Sequence, residues 1–319
     1  MVNIVFFGTP SFAVPALEAL LNSEHSVVVV VTQPDRQRGR GQRLSASPIK
    51  QVALDSQLPV LQPTKLNDVE FLDELAKLRP DLAVVVAYGQ FLPNRVLQLP
   101  RLGTINIHAS LLPKYRGAAP IQRALMAGET ETGITIIKLI QKMDAGPMLQ
   151  HRVIPVTEDD TTETIEPRLA KLGAGLLVSC VNDIAQGNIT QENQDESKAT
   201  FAPRITKEDG QIQWTNSAEQ IHNQIRSLHP WPHAYSYLNG TRFLILQSKV
   251  MNLSSPDNNT ARPGQIITVL KDRIIVATGG ADVLGILKIQ LPGRAPLATG
   301  AFLAGHPIAV GSLFQSQSP

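Results

Sequence analysis

Three short apolar runs do most to limit the folds open to this chain. They span Val2 to Phe7, Ser26 to Thr32 and Asp81 to Ala87. Runs of this kind are typical of parallel strands buried on both faces, because a half-exposed strand would alternate polar and apolar residues. A helix ending near Leu21 separates the first two runs, and strand, helix, strand is the parallel crossover unit. The sequence therefore predicts an α/β fold with a mostly parallel sheet flanked by helices.

The turn after the first strand limits which cofactor such a Rossmann-like sheet can bind. It reads GTPSFA, in which Thr9 or Ser11 is the expected cap of the next helix. The G-x-G-x-x-G pattern, whose glycines let the backbone approach a pyrophosphate, is missing. A nicotinamide or flavin dinucleotide is therefore not expected.

The length of 319 residues suggests two domains. We expect a first domain over residues 1–189, a linker over 190–206 and a second domain over 207–319. The linker is expected because this stretch is polar, acidic and poor in apolar residues, so it offers little to a core.

Short elements are predicted for the second domain. Ile212 to Trp214 has the pattern of a strand, and Ser217 with Gln220 resembles a capping box for a helix that ends near Leu228. Several short strand patterns follow at close spacing, separated by turn residues. This arrangement predicts a small β-barrel.

One cysteine and a small net charge exclude several classes of protein. Cys180 alone cannot form an internal disulfide or a cysteine-rich metal site, and it fits a reducing cytosol. The net charge is only +2, so any surface that binds nucleic acid has to be local. No signal peptide is recognised, and no apolar run approaches the ~20 residues of a membrane span. We therefore expect a cytoplasmic protein without membrane attachment.

The stretch from Gly103 to Ile121, GTINIHASLLPKYRGAAPI, holds the first candidate site. It opens as a strand, whose period of two places Asn106 and His108 on one face. Open α/β sheets keep their sites at the carboxyl ends of strands, where this pair is expected. From this stretch alone, a catalytic pair and a hydrogen-bonded polar edge without chemistry both stay open.

Asp144, in the turn QKMDAGP, completes a candidate catalytic set with Asn106 and His108. The sequence has no nucleophile elbow and no pair of histidines at metal spacing, so neither a covalent acyl-enzyme nor a metal is expected. Asn106 and a protonated His108 can stabilise an oxyanion, while Asp144 orients the ring or accepts a proton through water. Such a set suits direct transfer, in which the substrate brings its own nucleophile.

Arginines are concentrated in the segment 33–50, QPDRQRGRGQRLSASPIK. Its charged residues are Asp35, Arg36, Arg38, Arg40, Arg43 and Lys50. The segment lacks apolar periodicity, which predicts an exposed loop, and guanidinium groups match phosphate oxygens. The alternative is a solvated connector. Combined with a direct-transfer site, the loop favours a transferase whose acceptor is attached to nucleic acid.

Several motifs together resemble the folate-dependent formyltransferases. These are NIHASLLP followed by KYRGAAPIQ, and also FFGTPSFA, TQPDRQRGRG, VVVAYGQFLP, MDAGPM and HPWP, which together cover essentially the whole chain. The first motif alone is shared by members that act on purine precursors, formyltetrahydrofolate or sugar nucleotides. The arginine loop and the motif RGAAPIQ resemble the corresponding segments of the members that act on methionyl-tRNA.

The resemblance implies that the formyl donor is 10-formyltetrahydrofolate and that the acceptor is the α-amino group of methionine on initiator tRNA. It implies that Asn106, His108 and Asp144 are the catalytic triplet. The implied folate-binding residues are Ala87, Tyr88, Gly89, Ser110, Leu111, Leu112 and Pro113.

The same resemblance implies how tRNA is bound. The loop that carries Arg36, Arg38, Arg40 and Arg43 is expected to enter the acceptor end, with Arg40 at the most sensitive position. The second domain is expected to be an OB-like barrel that contacts tRNA. A monomer without metal is expected.

Two departures from the family pattern lie close to Asp144. Pro147 stands where an acidic or polar residue is expected, and Ile140-Gln141-Lys142 is unusual before Met143. They affect the expected backbone around Asp144 and leave its assignment in place. The alternatives are a formyltransferase for a sugar nucleotide or another small amine, which needs no arginine loop, and a non-catalytic tRNA-binding protein.

Overall fold

The chain folds into two compact units. The computed structural model describes residues 1–38, 43–252 and 261–316. The first unit comprises Met1–Pro120, Glu131–Pro155 and Glu166–Ala202, and the second comprises Ile121–Thr130, Val156–Ile165 and the chain from Pro203 onward. Each unit is therefore assembled from segments that are not contiguous in sequence.

A seven-stranded sheet is the centre of the first unit. The strands of this unit are β1 (Asn3–Gly8), β2 (Ser26–Val31), β3 (Arg36–Arg38), β4 (Arg43–Ser45), β5 (Val60–Leu61), β6 (Leu82–Val86), β7 (Thr104–His108), β8 (Arg116–Gly117), β9 (Glu131–Lys138), β10 (Met148–Pro155) and β11 (Phe201–Ala202). The order in the sheet is β10-β9-β7-β6-β1-β2-β5. The five strands from β7 to β5 in this order pair in parallel. At the other edge, β9 pairs antiparallel with β7, and β10 pairs antiparallel with β9. The predicted mostly parallel α/β fold is confirmed.

Helices connect these strands. They are α1 (Val14–Leu21), α2 (Pro48–Asp55), α3 (Val69–Lys77), α4 (Asn94–Leu97), α5 (Pro120–Met126) and α6 (Thr162–Gln186). In the described part of the chain, no helix has both the length and the apolar character needed to cross a membrane.

The strand order creates a crevice beside β1. The chain leaves β1 towards β2 on one side of the sheet and later returns to β6 on the other side. Such a reversal is a topological switch point, where the connections at the carboxyl ends diverge and leave room for a ligand. All three strands are largely buried, as the three apolar runs predict.

The predicted cap of α1 is wrong. A 3-10 turn at Ser11–Ala13 precedes α1, and no side chain caps either element. The Thr9 hydroxyl instead donates to the Tyr88 carbonyl at 2.9 Å, so it links the ends of β1 and β6. The proline in the first turn of α1 has no backbone N–H that would need an acceptor, so a side-chain cap is less necessary.

The prediction that segment 33–50 is only an exposed loop is also wrong. Strands β3 and β4 pair as an antiparallel hairpin, and α2 begins at Pro48. The Ser47 hydroxyl caps α2 by accepting from the Lys50 N–H at 3.0 Å. Three-residue strands are too short to produce a detectable period, which is why the pattern missed them.

The polar stretch after α6 has its own structure. We use the name strap for residues 192–202, which belong to the first unit. The strap contains a 3-10 turn at Glu196–Lys198 and strand β11, which pairs in parallel with β8. Backbone pairing therefore orders a segment that lacks the apolar residues of a core element.

The second unit is built on a curled antiparallel sheet, and its segment Ile121–Thr130 contributes most of α5. Its other elements are α7 (Ala218–Ser227), β12 (Ala234–Leu238), β13 (Thr241–Met251), β14 (Ile266–Val269), β15 (Ile274–Ala277), β16 (Val283–Gln290), β17 (Leu297–Ala298), α8 (Thr299–Leu303) and β18 (Phe314–Gln315). The order is β14-β15-β16-β13-β12-β18, with β17 beside β16. A bridge from Gln265 to Leu313 brings the two ends of the sheet together. The predicted OB-like β-barrel is confirmed.

Two predictions at the start of this unit have different outcomes. Ser217 and Gln220 form the expected capping box at α7. Ile212 to Trp214, however, is not a strand, and only the adjacent Gln211 forms a bridge, with Tyr235. Ile212 and Trp214 are buried in the core of the unit, and that burial explains their strand-like spacing.

Candidate active site

The strands β6 and β7 bring two predicted segments to one edge of the sheet. Val85 pairs with Asn106 in a parallel register, and Val86, the last residue of β6, pairs with Gly8. The segments that follow β1, β6 and β7 therefore leave the sheet on the same side, as expected for an α/β site.

His108 is held between a carbonyl and a carboxylate. The imidazole is 5 % exposed, its Nε2 lies 2.9 Å from the Tyr115 carbonyl, and its Nδ1 lies 3.7 Å from Oδ2 of Asp144. Because a carbonyl can only accept a hydrogen bond, Nε2 is protonated and donates to the Tyr115 carbonyl. When the ring is protonated, both N–H groups face an acceptor. The arrangement therefore accommodates an imidazolium.

Asp144 reaches His108 by an indirect route. The N–H of Leu139 donates to the Thr104 carbonyl at 2.8 Å, so the turn after β9 leaves the sheet beside the first residue of β7. His108 is the last residue of that strand, and the turn has to run back along β7 to approach it. Asp144 itself has a φ of +47°, a conformation that few residues other than glycine adopt.

Gly117 fixes the carboxylate of Asp144. Its N–H donates to Oδ2 of Asp144 at 2.9 Å, and its own φ is +126°. A Cβ at this position would lie 2.7 Å from the Ala202 carbonyl, so the close approach of β8 to the strap requires glycine.

Asn106 completes the set on the same strand. It is half-buried and lies two residues before His108, so both side chains emerge on the same face. Among the described residues, no hydrogen bond of the Asn106 amide is found, which leaves the amide available to a substrate. The structure thus brings His108 and Asp144 together and places Asn106 on the same face of β7, two residues before His108.

The segment Ser110 to Pro113 is fixed by internal hydrogen bonds. The buried Ser110 hydroxyl donates to the Lys114 carbonyl at 2.7 Å. Thr135 bridges the segment, since its hydroxyl donates to the Ser110 carbonyl at 2.7 Å and accepts from the Leu112 N–H at 3.1 Å. Leu111 and Pro113 are half-buried. These residues therefore offer a rigid, mainly apolar wall.

Ala87, Tyr88 and Gly89 form a strained turn at the end of β6. Ala87 and Gly89 are exposed and have φ of +47° and +85°. Glycine adopts such a φ freely, but at Ala87 it is strained, and such strain is often found at ligand sites. The Tyr88 side chain is buried, and burial raises the pKa of its hydroxyl to about 12. Tyr88 therefore stays neutral, and only its backbone is positioned to contact a ligand.

A cavity of about 240 Å³ lies at the switch point. It is lined by Thr9, Pro10, Gln33, Pro34, Arg36, Ser45, Ser47, Ala87, Tyr88 and Gly89. The buried Gln33 amide organises this wall, donating to the Tyr88 carbonyl at 3.2 Å and accepting from Arg36 at 2.9 Å. Sequence reasoning missed Gln33, although its position directly after a buried strand is a usable signal.

Three of the four predicted tRNA-binding arginines, Arg36, Arg38 and Arg43, lie on the β3–β4 hairpin. Arg36 is exposed and reaches the cavity, whereas Arg38 and Arg43 face each other in the backbone register. Arg40 lies outside the described residues. Lys50 is not part of this group, because its ammonium pairs with Asp35 at 2.7 Å and lowers the pKa of that carboxyl.

Three further residues near the site, Arg116, Gln194 and Glu196, were missed from the sequence. Arg116, in the RGAAP motif, is only 2 % exposed although it is charged, and its guanidinium contacts Gln194 and Glu196 of the strap. No sequence signal links these positions, because they are far apart in the chain.

Within the residues the structure describes, no group of His, Cys, Asp or Glu is arranged to hold a metal ion.

Comparison with protein families agrees with both units. The family described as formyl transferase matches residues 2–181, and the one described as formyl transferase, C-terminal domain, matches residues 204–307. The fold and these matches define a formyl transferase, an enzyme of group transfer.

Relatives narrow this class. Methionyl-tRNA formyltransferase from a Sulfurihydrogenibium species is 44 % identical over 98 % of this chain and 100 % of the relative. The protein of the same name from Methylococcus capsulatus is 45 % identical over 96 % of this chain and 98 % of the relative. The chain belongs to the methionyl-tRNA formyltransferase family.

A solved structure supports the fold at greater distance. The N-formyltransferase from Helicobacter canadensis, in complex with folinic acid and dTDP-3-aminofucose, aligns with a TM-score of 0.67 and 17 % identity. The alignment covers 90 % of this chain and 99 % of that chain. At this identity the likeness concerns the fold alone.

Proposed function

We propose that this enzyme transfers the formyl group of 10-formyltetrahydrofolate to the α-amino group of methionyl initiator tRNA. The observation that carries the proposal is the contact of His108 with Asp144 at the end of β7, the strand that also carries Asn106, in a chain of this family. The product is N-formylmethionyl-tRNA, the aminoacyl-tRNA that begins translation.

The chemistry needs no nucleophile from the protein. An α-amine has a pKa of about 7.7–8.0, so part of it is neutral at pH 7 and can attack the formyl carbon. A C–N bond forms to the amine while the bond from the formyl carbon to the folate N10 breaks, and the proton lost by the amine returns to N10. The Asn106 amide and His108 stabilise the charge that develops on the formyl oxygen. Asp144 orients the ring and balances its charge.

The donor fits the two walls that the strand ends provide. Pterin rings have apolar faces and polar edges, and the mainly apolar wall at Ser110–Leu111–Leu112–Pro113 suits a face. The strained turn at Ala87–Tyr88–Gly89 exposes backbone groups that suit an edge. In this proposal, the donor supplies the activated formyl group and the chain supplies binding and electrostatic stabilisation.

We use the name arginine hairpin for residues 36–45, which include strands β3 and β4. We propose that it holds the acceptor. Arg36, Arg38, Arg40 and Arg43 contact phosphates near the amino acid, where guanidinium groups pair with phosphate oxygens. In residues 207–319, nine Lys or Arg stand against six Asp or Glu, and this mild excess supports tRNA contact by the second domain. We propose that residues 1–189 catalyse, that 190–206 connect, and that the enzyme acts as a cytoplasmic monomer.

The decisive experiment is to incubate the protein with labelled 10-formyltetrahydrofolate and methionyl-tRNA and to look for label on the amino acid. Label on methionine supports the proposal. Transfer only to an amino-sugar nucleotide would assign the enzyme to a small-amine substrate, and salt-sensitive tRNA binding without any transfer would reduce it to a binding protein. Deletion of 37–43 should abolish transfer to tRNA while folate binding remains.

A further inference from the structure

The strands β9 and β10 hold only the two ends of the turn that carries Asp144, through the Lys138 N–H, which donates to the Pro147 carbonyl at 2.9 Å. The turn starts beside Thr104 at the first residue of β7 and has to return to His108 at the last residue. Asp144 has a positive φ, and a side chain at Gly146 would collide with the Lys138 carbonyl. A strained excursion of this kind needs contacts from another part of the chain to hold one geometry.

The strap supplies these contacts. Glu192 and Met148 exchange two backbone hydrogen bonds of 2.9 and 2.8 Å at the end of the turn. The Thr200 hydroxyl accepts from the Tyr115 N–H at 2.9 Å, and Tyr115 is the residue whose carbonyl holds His108. The strap therefore joins the turn after β9 to the segment after β7.

Gln194 is the centre of this connection. Its Nε2 donates to the carbonyls of Asp144 and Gly146, both at 2.7 Å. Its Oε1 accepts from Nε and Nη2 of Arg116, at 3.0 and 2.8 Å. Arg116 can only donate and the carbonyls can only accept, so the orientation of the amide is determined.

A second layer fixes the arginine. The guanidinium of Arg116 also donates to the Glu196 carboxylate at 2.8 Å, and Lys142 of the Asp144 turn pairs with the same carboxylate at 2.6 Å. The buried Arg116 is thereby compensated, and both Gln194 and Glu196 hold the same turn.

We propose that Gln194 is a positioning residue for catalysis, acting through Asp144 by fixing the backbone that presents its carboxylate to His108. The inference rests on the role of Asp144 in the proposed function. Gln194 does not touch the substrates in this scheme. Its removal should therefore lower kcat and leave substrate binding almost unchanged.

The first test compares Gln194→Met with Gln150→Met. Gln150 is also half-buried, and its amide donates to Asp183 at 2.7 Å, so the control loses a similar hydrogen bond elsewhere in the same unit. We expect kcat for Gln194→Met to fall about 10- to 100-fold, because a misplacement of about 1 Å has effects of this size. KM for both substrates should stay within about threefold, and Gln150→Met should match the wild type.

A double mutant separates positioning from general destabilisation. In the Asp144→Asn background, Gln194→Met should lower kcat less than about threefold, because the group on which Gln194 acts is already gone. A full and additive loss in that background would overturn the proposal. Gln194→Glu keeps an acceptor for Arg116 but turns a carboxylate oxygen towards the two carbonyls, so it should lower kcat at least as much as Gln194→Met.

The outcomes also separate this inference from the proposed function. Absence of formyl transfer by the wild type would contradict the proposed function itself. Wild-type transfer with equal kcat for Gln194→Met and Gln150→Met would overturn only the role of Gln194.

Discussion

At the residue scale, the site depends on the two contacts that the ring nitrogens of His108 make. The ring is buried, one nitrogen faces a carbonyl, and the other faces the carboxylate of Asp144. In a poorly solvated site, charges interact more strongly than in water, so a carboxylate near the ring matters for a reaction that develops negative charge nearby.

Replacing that carboxylate should therefore be costly for catalysis and mild for folding. In Asp144→Asn, an amide oxygen can still accept from the Gly117 N–H, but the negative charge beside His108 is lost. We expect kcat to fall about 100- to 10,000-fold and its pH dependence to change, while folate binding and Tm stay close to the wild type. Asp183→Asn, which alters a carboxylate bound to Gln150, is the matched control. An unchanged rate and pH profile would remove Asp144 from the mechanism.

Glu196 gives the strap a pH-dependent contribution to stability. Hydrogen bonds from Arg116, and then from Lys142, lower the pKa of Glu196 from 4.5 to about 2. A carboxyl whose pKa is lowered by folding stabilises the protein above its ordinary pKa, and this contribution is lost as pH falls through 4.5 towards 2.

The expected result is a difference in Tm that depends on pH. Glu196→Gln should melt below the wild type at pH 7, and the difference should shrink steadily below about pH 4.5. Thermal unfolding between pH 3 and 7 measures it. Glu192→Gln, an exposed change on the same strap, should show no such trend, and a constant difference for Glu196→Gln would contradict the assignment.

The arrangement of the proposed catalytic residues was only partly predictable from sequence. Asn106 and His108 follow from a strand period of two, which is a local property. The contact of Asp144 with His108 depends on a turn that runs back along β7, and no local pattern encodes that path. Gln194 could not be identified, because its function lies in hydrogen bonds to backbone carbonyls, which leave no trace in residue type.

At the element scale, hydrophobic pattern and capping chemistry predicted most elements. Buried strands produce apolar runs, and the capping box of α7 is a four-residue signal that needs no tertiary context. Three predictions failed. Core burial imitates strand spacing at Ile212–Trp214, and the strands of the β3–β4 hairpin are too short for a pattern. The expected side-chain cap of α1 is also missing.

The arginine hairpin should act on the acceptor and not on the donor. We expect Arg40→Ala to weaken use of methionyl-tRNA strongly, because a phosphate contact is lost, and to leave folate binding unchanged. Kinetics with each substrate varied separately measure the two effects. Arg101→Ala is the control. This exposed arginine pairs with Asp81 at the amino end of β6, whereas the site lies at the carboxyl ends of the strands. Equal losses for both substrates would contradict the assigned role.

The capping box of α7 should be visible in stability. The Ser217 hydroxyl accepts from the Gln220 N–H at 3.2 Å, and the Gln220 side chain accepts from the Ser217 N–H at 3.0 Å. Ser217→Ala should lower the free energy of unfolding by about 0.5–2 kcal/mol, as measured by denaturant titration. Ser217→Gly should cost only a few tenths of a kcal/mol by comparison. No loss in Ser217→Ala would mean that the cap does not stabilise α7.

At the scale of the whole molecule, charge is distributed unevenly. The net charge is only +2, although four arginines lie between residues 36 and 43. A nearly neutral chain attracts a polyanion weakly as a whole, so the strength of tRNA binding has to come from local contacts that release counterions. Composition alone does not predict such contacts, whereas the position of the basic residues along the chain does.

This distribution leads to a prediction about salt dependence. Changing Arg36, Arg38, Arg40 and Arg43 together to Gln removes up to four phosphate contacts, which should reduce the slope of log Kd against log salt by about 3. Binding of methionyl-tRNA to the full chain, measured between about 50 and 200 mM salt, tests this. Four exposed basic residues outside the hairpin, Lys77, Arg79, Arg101 and Lys171, changed to Gln form a control of equal charge. If both quadruple variants reduce the slope equally, binding depends on total charge and the hairpin has no special role.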